Sequence, residues 1–156
     1  MADVNHNRTN PPGFDPRLFL RDEELDYGIS LMLTAERVLM KQAGHIAQKH
    51  AMPPLAARVL ISIRFLPGQT VKALREQLDA TTPTLARILG DLGKRGLIDR
   101  QPSKTDARAR ALFLTEEGKR LTDPATIAMR DTLRLAYRRA GASAVAGARS
   151  VLEALQ

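Results

Sequence analysis

Positive charge is concentrated in one short stretch of this 156-residue sequence. Between Thr81 and Arg110 there are seven cationic and three anionic residues, which supply +4 of the formal net charge of +7. Residues 1–70, by contrast, are nearly neutral, with eight cations and seven anions. A positive field that is confined to one segment indicates a surface for a polyanion such as nucleic acid.

The first of these cations fall on a helix that is predicted from about Thr82 to Arg95. Apolar residues recur along it with helical spacing and predict one buried face; they are Leu85, Ile88, Leu89 and Leu92. The opposite face carries small and cationic residues, namely Pro83, Arg87, Gly90 and Lys94. A helix with such an exposed face can enter the major groove of DNA. The same pattern also fits an ordinary amphipathic surface helix.

The ends of this helix are marked by residues that favour helix termini. A threonine hydroxyl, from Thr81 or Thr82, is predicted to cap the first turn, and Pro83 lies near the first helical position, where its missing N–H costs nothing. Gly96 stands where a left-handed residue can end the helix. The hydroxyls of Thr82 and Thr84 can bond base edges or phosphates, and the free N–H groups of the first turn favour phosphate.

The remaining cations surround a predicted β-hairpin. Leu97–Arg100 and Ala111–Leu114 are strand-like, and a polar, basic loop joins them. Arg108 and Arg110 alternate with alanines, so both point to one side if the chain is extended. Arginine suits insertion into a narrow minor groove, and Asp106 can hold Arg108 in place by a bidentate ion pair. A solvated polar hairpin is the alternative explanation of this loop.

The elements that precede the basic stretch are predicted from apolar spacing and chain breakers. Residues 1–15 are polar and are predicted to be disordered. Helices are predicted over Leu18–His50, around Leu55–Ile63 and over Val71–Leu78, and residues 79–81 are predicted to form a turn before the cationic helix.

Two further helices are predicted after the hairpin. Thr115 caps the first of them, which is expected to run into the 130s with a bend at Pro124. Residues 140–143 break it, and the final helix is predicted over Ala144–Leu155, with apolar residues along one face.

Composition and missing motifs exclude several classes of protein. The absence of cysteine excludes disulfides, thiolate catalysis and thiolate metal sites. His45 and His50 lie five residues apart, on different faces of the predicted helix, so no metal site is expected, and no cofactor either. Nucleotide-binding and hydrolase motifs are missing, so we expect no enzymatic activity. No apolar run reaches the ~20 residues of a membrane span, and the N-terminus lacks a signal-like apolar stretch, so we expect a cytoplasmic protein without membrane contact.

Residues 70–120 resemble the winged-helix domain of MarR-family transcriptional regulators. The motifs that carry the resemblance are Thr84–Leu89, Leu92, Lys94–Ile98, Asp106-Ala107-Arg108, Leu112, Leu114 and Thr115-Glu116-Glu117-Gly118. Gly90 and Gly93 depart from the pattern, because the family usually has charged or polar residues at these positions. The flanking helices agree with the family only in number, order and length.

The resemblance implies a mainly α fold, a winged helix-turn-helix with a small β-wing, flanked by N- and C-terminal dimerisation helices. Residues 16–156 would then be a single regulator domain. Within it, residues 53–120 would form the DNA-binding lobe, and residues 16–50 and 121–156 the dimerisation helices.

The resemblance also implies a homodimer that binds double-stranded DNA at a pseudo-palindromic operator, with the recognition helix in the major groove. Arg108 would be the wing-tip arginine in the minor groove, and Asp106 would position it. The residues expected to contact DNA are Thr81, Thr82, Pro83, Thr84, Arg87, Lys94, Arg95, Lys104, Asp106, Arg108 and Arg110.

Members of this family often carry an effector pocket between the dimerisation helices and the DNA-binding lobe. In this sequence the Leu31–Ile46 face, the Leu55–Ile63 helix and the helix after Thr115 would line such a pocket, and the sequence identifies no ligand for it. The alternative that the sequence leaves open is a winged-helix module for protein contacts, in which DNA binding is secondary.

Overall fold

The computed structural model of the chain describes residues 20–102 and 110–155, so the predicted disordered tail lies outside the described residues. These ranges contain six helices and one two-stranded antiparallel sheet, and the predicted mainly α fold with a small β-wing is confirmed. The elements are α1 (Asp22–Lys49), α2 (Pro54–Phe65), α3 (Val71–Gln77), α4 (Thr82–Lys94), β1 (Ile98–Pro102), β2 (Arg110–Leu114), α5 (Glu116–Ala140) and α6 (Ala142–Ala154).

The chain divides into two compact units, residues 1–37 and residues 38–156. The described part of the first unit is mainly the beginning of α1, whose first turn carries Asp22, Glu23 and Glu24. Carboxylates stabilise the positive end of a helix dipole, which explains why the helix begins at Asp22, four residues after the predicted start. Most large apolar side chains of this segment are exposed, among them Leu25, Ile29 and Leu33.

The second unit contains a continuous hydrophobic core to which α2 contributes most heavily. Val59, Leu60 and Ile63 of α2 are fully buried, as the helical spacing predicts. Helix α2 contacts α4, α5 and β2, so it forms the centre on which the other elements rest. The helix begins directly after Pro53, with a proline in its first turn, where the lost N–H donor costs no helical hydrogen bond.

The two strands pair in a regular register from Ile98 opposite Leu114 to Pro102 opposite Arg110. The predicted first strand is shifted by one residue, because the N–H of Leu97 instead donates to the carbonyl of Leu92 and completes the end of α4. The strand also includes Pro102, which was predicted to be in the loop. A proline is tolerated at the end of an edge strand because no further strand needs its N–H.

Helices α5 and α6 are separated by one residue, Gly141, where four residues were predicted to break the chain. Helix α6 therefore begins at Ala142 and not at Ala144. Helix α5 continues through Pro124, and its buried Thr122 and Thr126 hydroxyls donate to main-chain carbonyls of the preceding turn. Within the described ranges, no helix is both long enough and apolar enough to cross a membrane.

Candidate nucleic-acid interface

Helices α3 and α4 form a helix-turn-helix whose turn is held by main-chain hydrogen bonds. Helix α3 packs on the core through the buried side chain of Leu74. Thr70 caps the start of this helix, because its hydroxyl accepts a hydrogen bond from the N–H of Ala73. In the turn, Asp79 adopts a positive φ of 46°, and the N–H of Ala80 donates to the carbonyl of Arg75. Aspartate tolerates this left-handed conformation better than most residues do, so the turn is consistent with the sequence.

Helix α4 has one buried and one exposed face, as its spacing predicts. Leu85, Ile88, Leu89 and Leu92 are all buried. Pro83, Arg87 and Lys94 are exposed, and Gly90 between them is half-buried. The helix is therefore anchored by its apolar stripe and presents a cationic face with small residues to solvent, which is the surface that a major groove can accept.

Threonine hydroxyls organise the first turn of α4. Thr81 is the N-cap, since its Oγ1 accepts from the N–H of Thr84 at 3.4 Å and donates to Oγ1 of Thr84 at 2.8 Å. Arg75 of α3 donates from Nη1 to Oγ1 of Thr82 at 3.4 Å. Arg75 was not among the predicted site residues. It directly follows buried Leu74, and that position was the signal in the sequence for a side chain beside this turn.

The three cations of α4 and its C-cap have different surroundings. Arg87 is well exposed and lies 3.7 Å from Asp91 one turn later, a distance typical of a weak surface ion pair. Lys94 is exposed and makes no ion pair within the described residues. Arg95 donates from Nη2 to the carbonyl oxygen of His50 at 3.1 Å, directly after the end of α1. Its guanidinium therefore has an intramolecular partner, and its predicted DNA contact stays a prediction.

The wing is described only at its base. Arg100 of β1 and Arg110 of β2 are both exposed and lie on the same face of the hairpin. Asp99 accepts from the main-chain N–H of Arg100 and from the side chain of Gln101, which orders the exposed strand. Lys104, Asp106 and Arg108, the remaining residues predicted for the wing, lie outside the described residues.

A close contact between the chain after α4 and the start of α5 fixes the base of the wing. Gly96 ends α4 with a φ of 66°, and its carbonyl accepts from the hydroxyl of Thr115 at 2.6 Å. Thr115 also caps α5, because its Oγ1 accepts from the N–H of Gly118. A Cβ at Gly118 would lie 2.1 Å from the carbonyl oxygen of Leu97, so only glycine fits there. The Thr-Glu-Glu-Gly motif thus holds the start of α5 against Gly96 and Leu97, the two residues just before β1.

The first turn of α5 adds local charge pairs on the surface. Lys119 donates to Oε1 of Glu116 at 2.5 Å, and this hydrogen bond together with the positive charge of Lys119 lowers the pKa of Glu116. Arg120 and Glu117 form a second pair of the same spacing. Both pairs are exposed, so they stabilise the helix start only weakly.

A small cleft of about 130 Å³ lies between the end of α1 and the first half of α5. Gln42, His45, Lys49, His50, Ile46, Leu121, Pro124 and Ala125 line it. Both histidines line the cleft, and the main-chain N–H of His50 continues the helical pattern by donating to the carbonyl of Ile46 at 3.0 Å. The cleft includes the predicted residue Ile46 and the helix after Thr115 but no residue of α2. In the described part of the chain, no three side chains are grouped as a metal site would require.

Comparisons with known proteins agree with this geometry. A sequence model described as the MarR family matches residues 51–109. The HTH-type transcriptional regulator PetP of Rhodobacter capsulatus is 39% identical over 147 residues, covering 94% of this chain and 89% of PetP.

Two solved structures have the same fold at low sequence identity. The crystal structure of NadR in complex with 4-hydroxyphenylacetate is 22% identical, with a TM-score of 0.64 over 80% of this chain and 88% of NadR. A mutant of MarR from E. coli complexed with operator DNA is 21% identical, with a TM-score of 0.53 over 87% of this chain and 97% of that chain. At these identities the two structures support the winged-helix fold alone.

Proposed function

Because the chain belongs to the MarR family of helix-turn-helix transcriptional regulators, which bind DNA and are not enzymes, we propose that it binds a pseudo-palindromic operator as a homodimer. In this proposal residues 53–120 form the DNA-binding lobe, and residues 16–50 and 121–156 form the dimerisation helices. Helix α4 enters the major groove, and the wing follows the adjacent minor groove.

The exposed face of α4 is the observation that carries the proposal. Pro83, Arg87, Gly90 and Lys94 are at helical spacing on the side opposite the buried stripe, and Asp91, beside Arg87, is the one acidic residue of the helix. Thr81, Thr82 and Thr84 lie at the N-terminus of the helix, where free N–H groups favour phosphate. Operator DNA is present in the structure of the MarR mutant from E. coli, which supports the same use of the fold here.

The charged residues of α4 and the wing have different roles in the proposal. Arg87 reads a base edge, Lys94 and Arg100 neutralise phosphates, and Arg110 does so at the base of the wing. Arg108 inserts into the minor groove, where Asp106 positions it and Lys104 adds charge. Arginine is favoured at a narrow minor groove because the negative potential is enhanced there.

We also propose that a small molecule regulates binding through the 130 Å³ cleft between α1 and α5. Its polar residues Gln42, His45 and Lys49 lie beside apolar Ile46 and Leu121, which suits a small amphipathic effector. The complex of NadR with 4-hydroxyphenylacetate supports effector binding in a protein of this fold. A thermal-shift screen with small carboxylic acids tests this part, and a matched Lys49→Ala variant should lose any stabilisation that a binder produces.

Binding to labelled duplex DNA, measured by fluorescence anisotropy across a range of salt concentrations, tests the central proposal. The logarithm of the association constant should fall with the logarithm of salt concentration by about 0.9 for each neutralised phosphate. A flat response from low to physiological salt would contradict DNA binding as the main function and would favour the protein-interaction module.

The binding of variants to the operator separates the proposed contacts. Arg87→Ala should cost about 1–3 kcal/mol of binding free energy and relax specificity at one base position. Arg108→Ala should lose affinity mainly on sites with an A·T-rich, narrow minor groove under the wing. Asp106→Ala should act in the same direction more weakly. If Arg108→Ala binds every duplex as the parent does, the role given to the wing is wrong.

A further inference from the structure

A buried serine interrupts the apolar surface of α2. Ser62 is 7% exposed, and Ile61 and Ile63 on either side of it are also buried. In the described part of the chain, three residues are both polar and buried, namely Ser62, Thr122 and Thr126. The two threonine hydroxyls donate to main-chain carbonyls of their own helix, α5. The hydroxyl of Ser62 differs from them, because its partners belong to other parts of the fold.

The hydroxyl of Ser62 joins two glutamines that lie at the two ends of α3. It donates to Oε1 of Gln77, the last residue of α3, at 2.5 Å. It accepts at 2.9 Å from Nε2 of Gln69, which comes just before the N-cap of α3. A serine hydroxyl has one hydrogen to donate, and in this arrangement Gln77 accepts it. We refer to these three hydrogen-bonded side chains as the Ser62 bridge.

The Ser62 bridge also reaches the base of the wing. The carbonyl of Gln69 accepts from the N–H of Leu112 in β2 at 3.0 Å. The N–H of Gly68 donates to the carbonyl of the same leucine at 2.8 Å. Gln69 therefore holds β2 through its main chain and Ser62 through its side chain. A displacement of Gln69 would move the base of the wing together with the start of α3.

Apolar packing alone fixes the orientation of α3 only loosely. The helix has seven residues, of which Leu74 is buried, and Val71 and Leu78 at its ends are half-buried. Apolar packing is not directional, so these contacts hold a short helix against the core without fixing its tilt. Hydrogen bonds weaken steeply when their angles change, and the Ser62 bridge supplies them at both ends of the helix.

The orientation of α3 determines where α4 begins. Residues 78–81 are the whole connection between the two helices. Arg75 of α3 donates to the hydroxyl of Thr82 in the first turn of α4 at 3.4 Å. Binding groups must be held within about 0.5 Å of their working positions. A small rotation of α3 would therefore misplace α4 against a base edge without unfolding the surrounding structure.

We propose that Ser62 is a positioning residue for the reading of DNA. Through Gln77 and Gln69 it fixes α3, and through α3 it fixes the first turn of α4. The proposal rests on the entry of α4 into the major groove proposed above, and it names the residue that sets the orientation of that helix. Ser62 is buried and does not itself touch DNA. The Ser62 bridge acts on contacts to base edges, which carry sequence information, and has little effect on contacts to phosphates.

Loss of the hydroxyl is the first test. The readout is the discrimination ratio, which divides the affinity for a duplex that the parent protein selects from a randomised library by the affinity for a scrambled duplex of the same length. Ser62→Ala should lower this ratio about tenfold, because base contacts weaken while phosphate contacts remain. Simple destabilisation would reduce both affinities by the same factor and leave the ratio unchanged. An unchanged ratio in Ser62→Ala would overturn the proposal.

Thr126→Val is the matched control for the loss of a buried hydroxyl. This substitution keeps the size of the side chain and removes a hydroxyl that bonds only within α5. The control should therefore keep the discrimination ratio of the parent. A fall in the ratio equal to that of Ser62→Ala would show that the effect is not specific to the Ser62 bridge, and would overturn the proposal.

Substitutions of Gln77 test the bridge without creating a cavity, because this side of it is exposed. Gln77→Met removes the acceptor, and the discrimination ratio should fall as it does in Ser62→Ala. Gln77→Glu keeps an oxygen that accepts from Ser62, so it should keep the ratio, although its charge lowers the affinity for every duplex. Thermal unfolding checks that both variants are folded. Equal ratios in the two variants would overturn the proposal.

The single hydrogen of the hydroxyl provides the most specific test. In Gln69→Glu the hydroxyl can donate to the carboxylate while the amide of Gln77 turns and donates to Ser62, so the bridge is kept. In Gln69→Glu/Gln77→Glu two acceptors compete for one hydrogen, and the bridge must break. The discrimination ratio should therefore fall about tenfold further in the double variant than the product of the two single effects. Multiplicative behaviour would overturn the proposal.

The proposed function and the role of the Ser62 bridge fail in different ways. A parent protein that binds the selected and the scrambled duplex equally would contradict sequence-specific reading and, with it, the positioning role. A parent that discriminates, together with Ser62 and Gln77 variants that discriminate equally well, would leave the proposed function standing and would contradict only the role of the Ser62 bridge.

Discussion

The helix-turn-helix and the terminal helices differ in where their apolar surface lies. In α4 the whole stripe of four large apolar residues is buried within the chain. Along α6 no residue is buried, and the first half of α1 exposes most of its large apolar side chains. The surface proposed to read DNA is thus completed within one chain, whereas the terminal helices require a second surface to bury their apolar faces.

Removal of the last helix should have the largest effect on assembly. Deletion of residues 143–156 takes away almost all of α6. We expect a monomeric or insoluble chain that has lost operator binding, because a dimer that buries these helices has no stable folded monomer. Size-exclusion chromatography and anisotropy would measure both losses. A well-folded monomer that binds the operator normally would show that the terminal helices are not needed.

Two leucine-to-alanine substitutions compare how burial in α4 and burial in α6 contribute to stability. Leu89→Ala removes a side chain that is 2% exposed, and we expect a cost of about 2–5 kcal/mol in unfolding free energy. Leu152→Ala removes one that is 54% exposed in the single chain. Its cost should depend on protein concentration, because it weakens the dimer and not the core. Thermal unfolding over a hundredfold range of concentration would separate the two, and equal, concentration-independent losses would contradict the distinction.

Local features of the fold and site could be predicted from the sequence because they depend on neighbouring residues. The buried stripe of α4, the Thr81 cap and the end at Gly96 all follow from spacing and backbone preferences. The contact from Arg95 to His50 could not be predicted, since 45 residues separate its partners.

The segment between the two strands marks a second limit of prediction from the sequence. Arg100 was predicted to end the first strand and Arg110 to lie in the loop, whereas the structure places both within the paired strands. Lys104, Asp106 and Arg108 lie outside the described residues, so their roles rest on the resemblance and on the variants proposed above. The sequence of residues 103–109 has no apolar periodicity, so the roles predicted for this segment depend on family motifs.

Lys94 and Arg95 are adjacent cations whose substitution should have different consequences. Lys94→Ala should weaken binding to all duplexes about equally and reduce the salt slope by about 0.9. Arg95→Ala should leave the slope unchanged, because its guanidinium bonds the carbonyl of His50, and should cost about 0.5–1.5 kcal/mol of stability. Hydrogen exchange should then rise near the end of α1. If both variants reduce the slope equally, the DNA contact predicted for Arg95 is right.

Two glycines in α4 provide the smallest and most specific test of the reading surface. A Cβ at Gly90 or at Gly93 would have no neighbour within 4 Å, so alanine fits at both positions. Each substitution should stabilise the helix by about 1 kcal/mol, because glycine inside a helix is that much less favourable than alanine.

Gly90 lies in the row of Arg87 and Lys94, and we expect Gly90→Ala to weaken operator binding by obstructing close approach of the backbone. Gly93 lies outside that row, so Gly93→Ala should keep the parent affinity for the operator. It should raise the melting temperature by the same amount as Gly90→Ala does. Denaturation would measure the stability of both variants, and anisotropy would measure their affinity for the operator. A Gly90→Ala protein with unchanged affinity would mean that this part of the helix does not approach DNA closely.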